Sequence, residues 1–298
     1  MNISLKPSYI DLHIHSTASD GSMSPVEIIK TAQKMGLRAI AITDHDTVDG
    51  SVEALRHQHS CDLEILPGIE ISASFDPGTM HILGYLIRLD DVALTQTLKV
   101  LQKSRADRNL QILKRLQGLG IDISCDEVLG VSGGGQIGRP HIAQVLVNKR
   151  VVQSIDQAFN KFLAKGRHAY VARYRLPPFE AIQAILLAGG VPVLAHPFTL
   201  NVRAEGEMDR LLADLKQAGL KGLEVYCSGY GPDRTAMYKR LAHRHGLLVT
   251  GGTDYHGTIK PGVHIGIGRG NLRIPYRLVE ELKQSASQVV SDLDKGLL

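Results

Sequence analysis

The stretch Tyr9-Ile10-Asp11-Leu12-His13-Ile14-His15 is a short apolar run that closes on two histidines, and it sets the reading of the whole chain. Ser24-Pro25 follows, an N-cap and a first-turn proline for a helix to about Met35, with Gly36 as its stop. Arg38–Thr43 is apolar again, Gly50–His59 has helical character, and Leu63–Ile71 and His81–Ile87 continue as strands. Short apolar runs alternating with amphipathic helices are the pattern of β/α units around a mostly parallel sheet.

The alternation breaks after residue 90. Asp91–Leu119 carries Leu98, Leu101, Leu110, Leu113 and Leu116 near a 3.6-residue period, which predicts a long helix. Arg139–Lys149 and Ile155–Leu163 predict two more helices with no strand between them. Residues 99–177 therefore read as a helical subdomain inserted between 1–98 and 178–298. From Lys99 to Arg175 there are 14 Lys and Arg against five Asp and Glu, a surplus of nine in a chain whose net charge is +4. A basic middle on an acidic remainder points to an anionic ligand, although solvated helix faces give the same count. After Pro177-Pro178 a helix through Leu187 leads to strand Val191–Ala195. Strands Gly222–Tyr226 and Leu247–Thr250 and a last helix near Leu278–Val290 complete the pattern.

Residues with metal-binding side chains gather where these strands end. His13-Ile14-His15 closes the first strand, His45 follows the second by two residues, and Glu70 ends the Leu63–Ile71 run. His196 follows Val191–Ala195, and Asp254-Tyr255-His256 follows Leu247–Thr250. In α/β barrels the carboxyl ends of strands converge on one mouth, where catalytic side chains collect. His81 departs from this rule, because it opens a strand. Residues two apart in extended chain share a face, so His13 and His15 can grip one ion, as can Asp254 and His256 if the chain stays extended there. His57-Gln58-His59 lies in a helical stretch, where residues two apart face different ways, and reads as surface. Taken singly, each of these histidines is more often a hydrogen-bonded core or surface residue, and Asp20, Glu70 and Asp254 are more often turn or cap residues. The joint arrangement carries the argument.

Hydrophobic content of 43% is enough for a sizeable core. No apolar run of about 18 residues occurs, so no membrane-spanning helix is expected. Met1–Pro7 lacks the features of a signal peptide, and Cys61, Cys125 and Cys227 are an odd set without C-x-x-C pairing, so a cytoplasmic protein is expected. No G-x-S-x-G turn or reactive cysteine context appears, and covalent catalysis is not indicated.

His13-Ile14-His15-Ser16-Thr17-Ala18-Ser19-Asp20-Gly21 resembles the H-x-H-S-x-x-S-D-G opening of the PHP (polymerase and histidinol phosphatase) superfamily. Ile42–Thr47, Pro67–Ser72, Ala195-His196-Pro197 and Gly252–His256 resemble its later motifs. The resemblance implies an α/β fold, a distorted (β/α)7 barrel with up to three metal ions at its carboxyl end. It places one ion on His13, His15, Glu70 and Asp254, and a second on Glu70, His81 and His196. A third falls to Asp20, His45 and His256. A bacterial subgroup with a helical insertion is similar to 3′,5′-nucleoside bisphosphate phosphatases, some of which also trim short RNA from the 5′ end. Gly138–Ala143 resembles its insertion motif, which puts Arg139 and His141 at the mouth as phosphate contacts.

Histidine and carboxylate ligands without thiolates suit Mn2+, Zn2+ or Fe2+. Such ions lower the pKa of bound water toward about 7, which makes a metal-bound hydroxide the expected nucleophile. Asp254 and His256 are the candidates for protonating the leaving oxygen, and Asp44 for orienting the ligands. The expected substrate is a nucleotide or short oligonucleotide, with no membrane and no obligate protein partner. Three alternatives remain: a histidinol-phosphate phosphatase, a metal-stabilised accessory module for a nucleic-acid enzyme, and an amidohydrolase. The last leaves Asp20, His45 and His256 unexplained.

Overall fold

The computed structural model describes residues 9–58 and 62–297. His59, the second histidine of the H-x-H read as surface, and Cys61 lie outside those residues. The fold is mixed α/β, with its strands in two sheets. The first contains β1 (Tyr9–Ile14), β2 (Ala39–Ile42), β3 (Glu64–Leu66) and β9 (Ile274–Pro275), in the order β3-β2-β1-β9. The second runs β4-β5-β6-β7-β8, from β4 (Gly68–Ala73), β5 (Met80–Tyr85), β6 (Val191–Leu194), β7 (Gly222–Cys227) and β8 (Leu248–Gly252).

Two expectations change here. The Leu63–Ile71 run is two strands, broken at Pro67, whose ring removes the N–H a ladder needs. β3 pairs with β2 in one sheet, and β4 pairs with β5 in the other. The second sheet is also not mostly parallel: β5 runs antiparallel to both its neighbours, β4 and β6, and only the β6-β7 and β7-β8 pairs are parallel. The sheets join through isolated bridges, Ile14 to Tyr255 and His45 to Glu70, so they do not close as one continuous ladder.

Alternate residues of strands from both sheets turn inward and pack together. Ile10, Leu12, Ala39, Ala41, Leu83, Tyr85, Val191 and Val193 form this interior with Leu278, Val279 and Leu282 of the last helix, α10 (Arg277–Asp294). The opposite face of the second sheet is covered by α7 (Pro178–Leu187), α8 (Glu205–Gln217) and α9 (Pro232–Arg244). α1 (Pro25–Lys34) and α2 (Asp49–Leu55) cover the first sheet. α1 starts as read from the sequence, on a capping box in which Ser24 and Glu27 satisfy each other's backbone N–H.

The long helix is α3 (Val92–Gly118), capped by Asp91, whose carboxylate accepts from Leu94 N at 2.9 Å. Its first half, through Leu94, Leu98 and Leu101, packs on the second sheet. Its second half, through Ile112, Leu113 and Leu116, belongs to a separate cluster with α4 (Cys125–Ser132), α5 (Arg139–Asn148) and α6 (Ile155–Ala158). Leu110, counted in the apolar stripe, is half exposed. α4 was not expected, and the Ile155–Leu163 helix ends in a π turn from Phe159. Among the described residues no helix is long and apolar enough to cross a membrane.

Candidate metal centre

β1 delivers His13 and His15 to one rim of the strands, with their rings 5.2 Å apart. β8 presses against β1 at this point: a Cβ on Gly252 would lie 2.3 Å from the His13 backbone, so only glycine fits. The backbone bridges at Tyr255 and Glu70 bring the loops after β8 and β2 to the same rim. His81 reaches it too, although it opens its strand. β5 is antiparallel to β4 and β6, with His81 opposite Ser72, so its amino end lies beside their metal-type residues.

Glu70 is the hub. Its Oε1 lies 2.9 Å from His81 Nδ1 and 2.8 Å from His196 Nε2. Its Oε2 lies 2.9 Å from His45 Nδ1, 3.1 Å from His15 Nε2 and 3.4 Å from His13 Nε2. Around Asp20, His256 Nε2 stands at 3.4 Å, His15 Nδ1 at 3.6 Å and His45 Nε2 at 3.9 Å. Asp254 Oδ1 is 3.3 Å from His256 Nδ1, 3.5 Å from His15 Nε2 and 3.7 Å from His13 Nε2. All nine residues singled out in the sequence thus meet. They form four overlapping groups whose ligand atoms lie within 4.8 Å of one another, and His15 joins Asp20, His45 and His256. The Asp254 backbone is left-handed (φ 54°), so the condition of an extended chain is not met, yet its carboxylate still lies 3.3 Å from His256 Nδ1. Asp46 and His196 also have positive φ, at 55° and 23°; non-glycine residues hold such conformations only where their surroundings fix them.

The donor set fits divalent metal ions. His13 Nε2, His15 Nε2, His45 Nδ1 and Glu70 Oε2 are buried and make no hydrogen bond, a costly state that a coordinated ion relieves. Burial pushes His81 down to about 4, so its ring is neutral near pH 7, as a ligand must be. Burial opposes ionisation of Glu70, but the rings of His45 and His13, which the surrounding carboxylates push up, hold its carboxyl well below the usual range.

A second layer of polar residues fixes the first. Glu224, a lone acid in the apolar strand β7, meets His13 Nδ1 at 2.9 Å and accepts from His196 N at 2.6 Å. That contact turns His13 Nε2 inward. The sequence reading passed over Glu224, although a charged residue among buried apolar ones was the available signal. Asp44 accepts from Ser16 N and Ser16 Oγ at 2.8 and 2.6 Å and from Ser19 Oγ at 2.5 Å, which holds the loop carrying Asp20. The Lys260 ammonium contacts Asp254 Oδ2.

Above this cluster opens a cavity of about 220 Å³, lined by Asp20, His45, His81 and His256 and by five arginines: Arg105, Arg108, Arg139, Arg173 and Arg175. Only Arg139 was expected. Asp46 pairs with Arg105 at 2.5 Å and Arg173 at 3.2 Å, and among the described residues no carboxylate pairs with the other three. Burial and mutual repulsion push Arg108 down to about 8, Arg173 to about 9 and Arg139 to about 10, so all stay charged near neutrality. Arg139 donates to Leu163 O at 3.1 Å and lies against Phe159. His141 is buried and accepts from Gly138 N at 3.1 Å, closing the first turn of α5.

The PHP domain family matches residues 11–175. The chain is 32% identical to a 3′,5′-nucleoside bisphosphate phosphatase of Chromobacterium violaceum over 86% of its length and 90% of that protein's. It is also 32% identical to a 5′-3′ exoribonuclease of Haemophilus influenzae, over 83% of this chain and 89% of that one. The crystal structure of a proposed metal-dependent phosphoesterase from Bifidobacterium adolescentis superimposes with a TM-score of 0.82 at 31% identity, covering 92% of this chain and 94% of that one. With its nine-residue cluster and these relatives, the chain belongs to the PHP domain family and is a metal-dependent phosphoesterase.

Proposed function

We propose that this enzyme hydrolyses phosphate esters of nucleotides that carry a second phosphate: 3′,5′-nucleoside bisphosphates and short 5′-phosphorylated RNA. One observation carries the reading. Five arginines, Arg105 and Arg108 buried and Arg139, Arg173 and Arg175 half-buried, share one paired carboxylate and line a single cavity with residues of the metal-ligand cluster. Buried charge without partners is costly, and a phosphate that is held but not attacked supplies the missing anion. The names of the two relatives support the same class of substrate.

His13, His15, Asp20, His45, Glu70, His81, His196, Asp254 and His256 would hold the metal ions. When bound, two or three divalent ions such as Mn2+, Zn2+ or Fe2+ activate water near neutral pH and neutralise charge on the attacked phosphate. The chain's own residues do the rest. Glu224 and Asp44 orient the ligand shell, and Asp46 aligns Arg105 and Arg173. Arg139, with Arg108 and Arg175, grips the second phosphate and holds the ester in line for attack. His141 acts from behind, by fixing the turn that presents Arg139. Water oxygen bonds to phosphorus and gives up a proton, the ester P–O bond breaks with its electron pair going to the departing oxygen, and that oxygen takes up the proton by way of His256, which Asp254 orients.

All five arginines lie within residues 99–177, which supports that segment as an inserted, substrate-binding helical subdomain on a catalytic body of 1–98 and 178–298. The shared interior of the two sheets supports a distorted (β/α)7 barrel, open at its seams, for that body. A cytoplasmic setting fits the free thiols of Cys125 and Cys227. The reading is tested by Mn2+-supplemented turnover of 3′-phosphoadenosine 5′-phosphate, a 5′-phosphorylated dinucleotide and histidinol phosphate, side by side. The first two are the preferred substrates; histidinol phosphate as the best of the three would refute it.

A further inference from the structure

Just past His196 the chain makes a 3-10 turn, Pro197–Leu200, whose Phe198 ring is 45% exposed. Phe198 stands edge-on to the His196 ring at 6.3 Å and to Tyr230 at 5.5 Å. The exposed Arg234 guanidinium lies 5.9 Å from the Phe198 ring centre and 5.6 Å from that of Tyr230. The turn is firmly held. Thr199 Oγ1 donates to Thr79 O at 2.8 Å and meets His196 Nδ1 at 3.0 Å, while Thr79 N donates to Thr199 O at 2.8 Å. A Cβ on Gly78 would lie 2.3 Å from the Leu200 backbone, so the two segments are locked together. Thr79 also lines the arginine cavity, which Phe198 does not.

A rigid, exposed aromatic face beside an arginine, one residue pair from a metal ligand, is a stacking surface. Resting on the functional reading above, we propose that Phe198, backed by Tyr230 and Arg234, stacks the nucleobase that follows the attacked phosphate. The arginine cavity takes the preceding phosphate, the metal ligands face the attacked one, and the next base lies one sugar beyond. Phe198, whose ring lies 6.3 Å from that of His196 and outside the arginine cavity, is the face offered to that base. A flat π face accepts any base, so the platform contributes affinity for a second nucleotide without sequence preference. Nucleoside bisphosphates end before it and do not use it.

The chain has no tryptophan, so Phe198→Trp places a single reporter on the platform. Its fluorescence is titrated with a 5′-phosphorylated dinucleotide and with the same compound lacking the second base. Quenching by the intact dinucleotide alone is expected. In steady-state kinetics, Phe198→Ala should raise KM for the intact dinucleotide, relative to the abasic one, by about 5- to 150-fold, the usual range for one stacked base. Phe198→Tyr should preserve the discrimination. Equal quenching by both ligands, or an equal KM change for both, would overturn the platform. Quenching needs no turnover, so base-selective quenching in an enzyme that cleaves no nucleotide would refute the functional reading separately.

Discussion

His45 and Glu70 meet twice, once through a backbone bridge that joins the two sheets and once through their side chains, with His45 Nδ1 2.9 Å from Glu70 Oε2. The cluster able to hold metal therefore sits on the seam of the fold, and the contacts that close the seam also bring its side chains together. Glu70→Gln keeps the shape of the side chain but removes the charge that five histidines face. Turnover should fall by more than about 100-fold, because loss of outer partners alone costs about 10- to 100-fold. Steady-state kcat measures this, with a thermal melt confirming that the variant is folded. Near-normal turnover would remove Glu70 from the centre.

Asp46 is buried between Arg105 and Arg173. Burial alone would raise its carboxyl, but the two guanidiniums hold it below the usual range. Asp46→Asn leaves both arginines without their carboxylate and should cost about 3–5 kcal/mol. A depressed folded pKa contributes stability that is complete above the unfolded value of about 3.9 and is lost as pH falls through the lower, folded value. Urea denaturation should thus show a full gap between wild type and variant from about pH 5 upward, narrowing below about pH 4. A gap that widens in acid contradicts the assignment.

Arg139→Ala removes one charge-assisted contact to the second phosphate, worth about 1.5–3 kcal/mol, or roughly 10- to 150-fold in kcat/KM. A minimal aryl phosphate, which has no second phosphate, should be affected much less. Salt should weaken the longer substrate more. Equal losses on both substrates would make the arginine cluster a scaffold.

Inorganic phosphate should raise the melting temperature of the wild type, because it partners the cavity arginines, which are gathered only in the folded state. The shift should shrink in Arg108→Gln and Arg175→Gln. A shift unchanged in both would show that phosphate binds elsewhere.

Neither described cysteine should serve catalysis. Cys227 is buried in the core, where burial raises its thiol well above the usual range, and Cys125 is exposed. Cys227→Ala should lower stability by about 0.5–3 kcal/mol and leave kcat within a few-fold. Loss of turnover in a folded variant would point to thiol chemistry.

The clustering of the nine residues was legible because strand ends are visible in a sequence and H-x-H spacing has one geometric meaning in extended chain. His81 looked like an exception only because strand direction is invisible: β5 runs antiparallel to its neighbours. Pro67 is the local sign that the third apolar run divides. The arginine cavity was half legible. The basic surplus was plain, but Arg105 and Arg108 on α3 meet Arg139, Arg173 and Arg175 only through long-range packing, which no local pattern encodes. Glu224 acts on His13 from 211 residues away, and its burial in β7 is decided by the sheet.

Metal content tests the central claim most directly. Elemental analysis of purified, active protein should find two or three equivalents of a divalent transition metal per chain, and activity should fall as a chelator removes them and return when they are restored. Fully active protein with less than one equivalent, unaffected by chelation, would contradict the account.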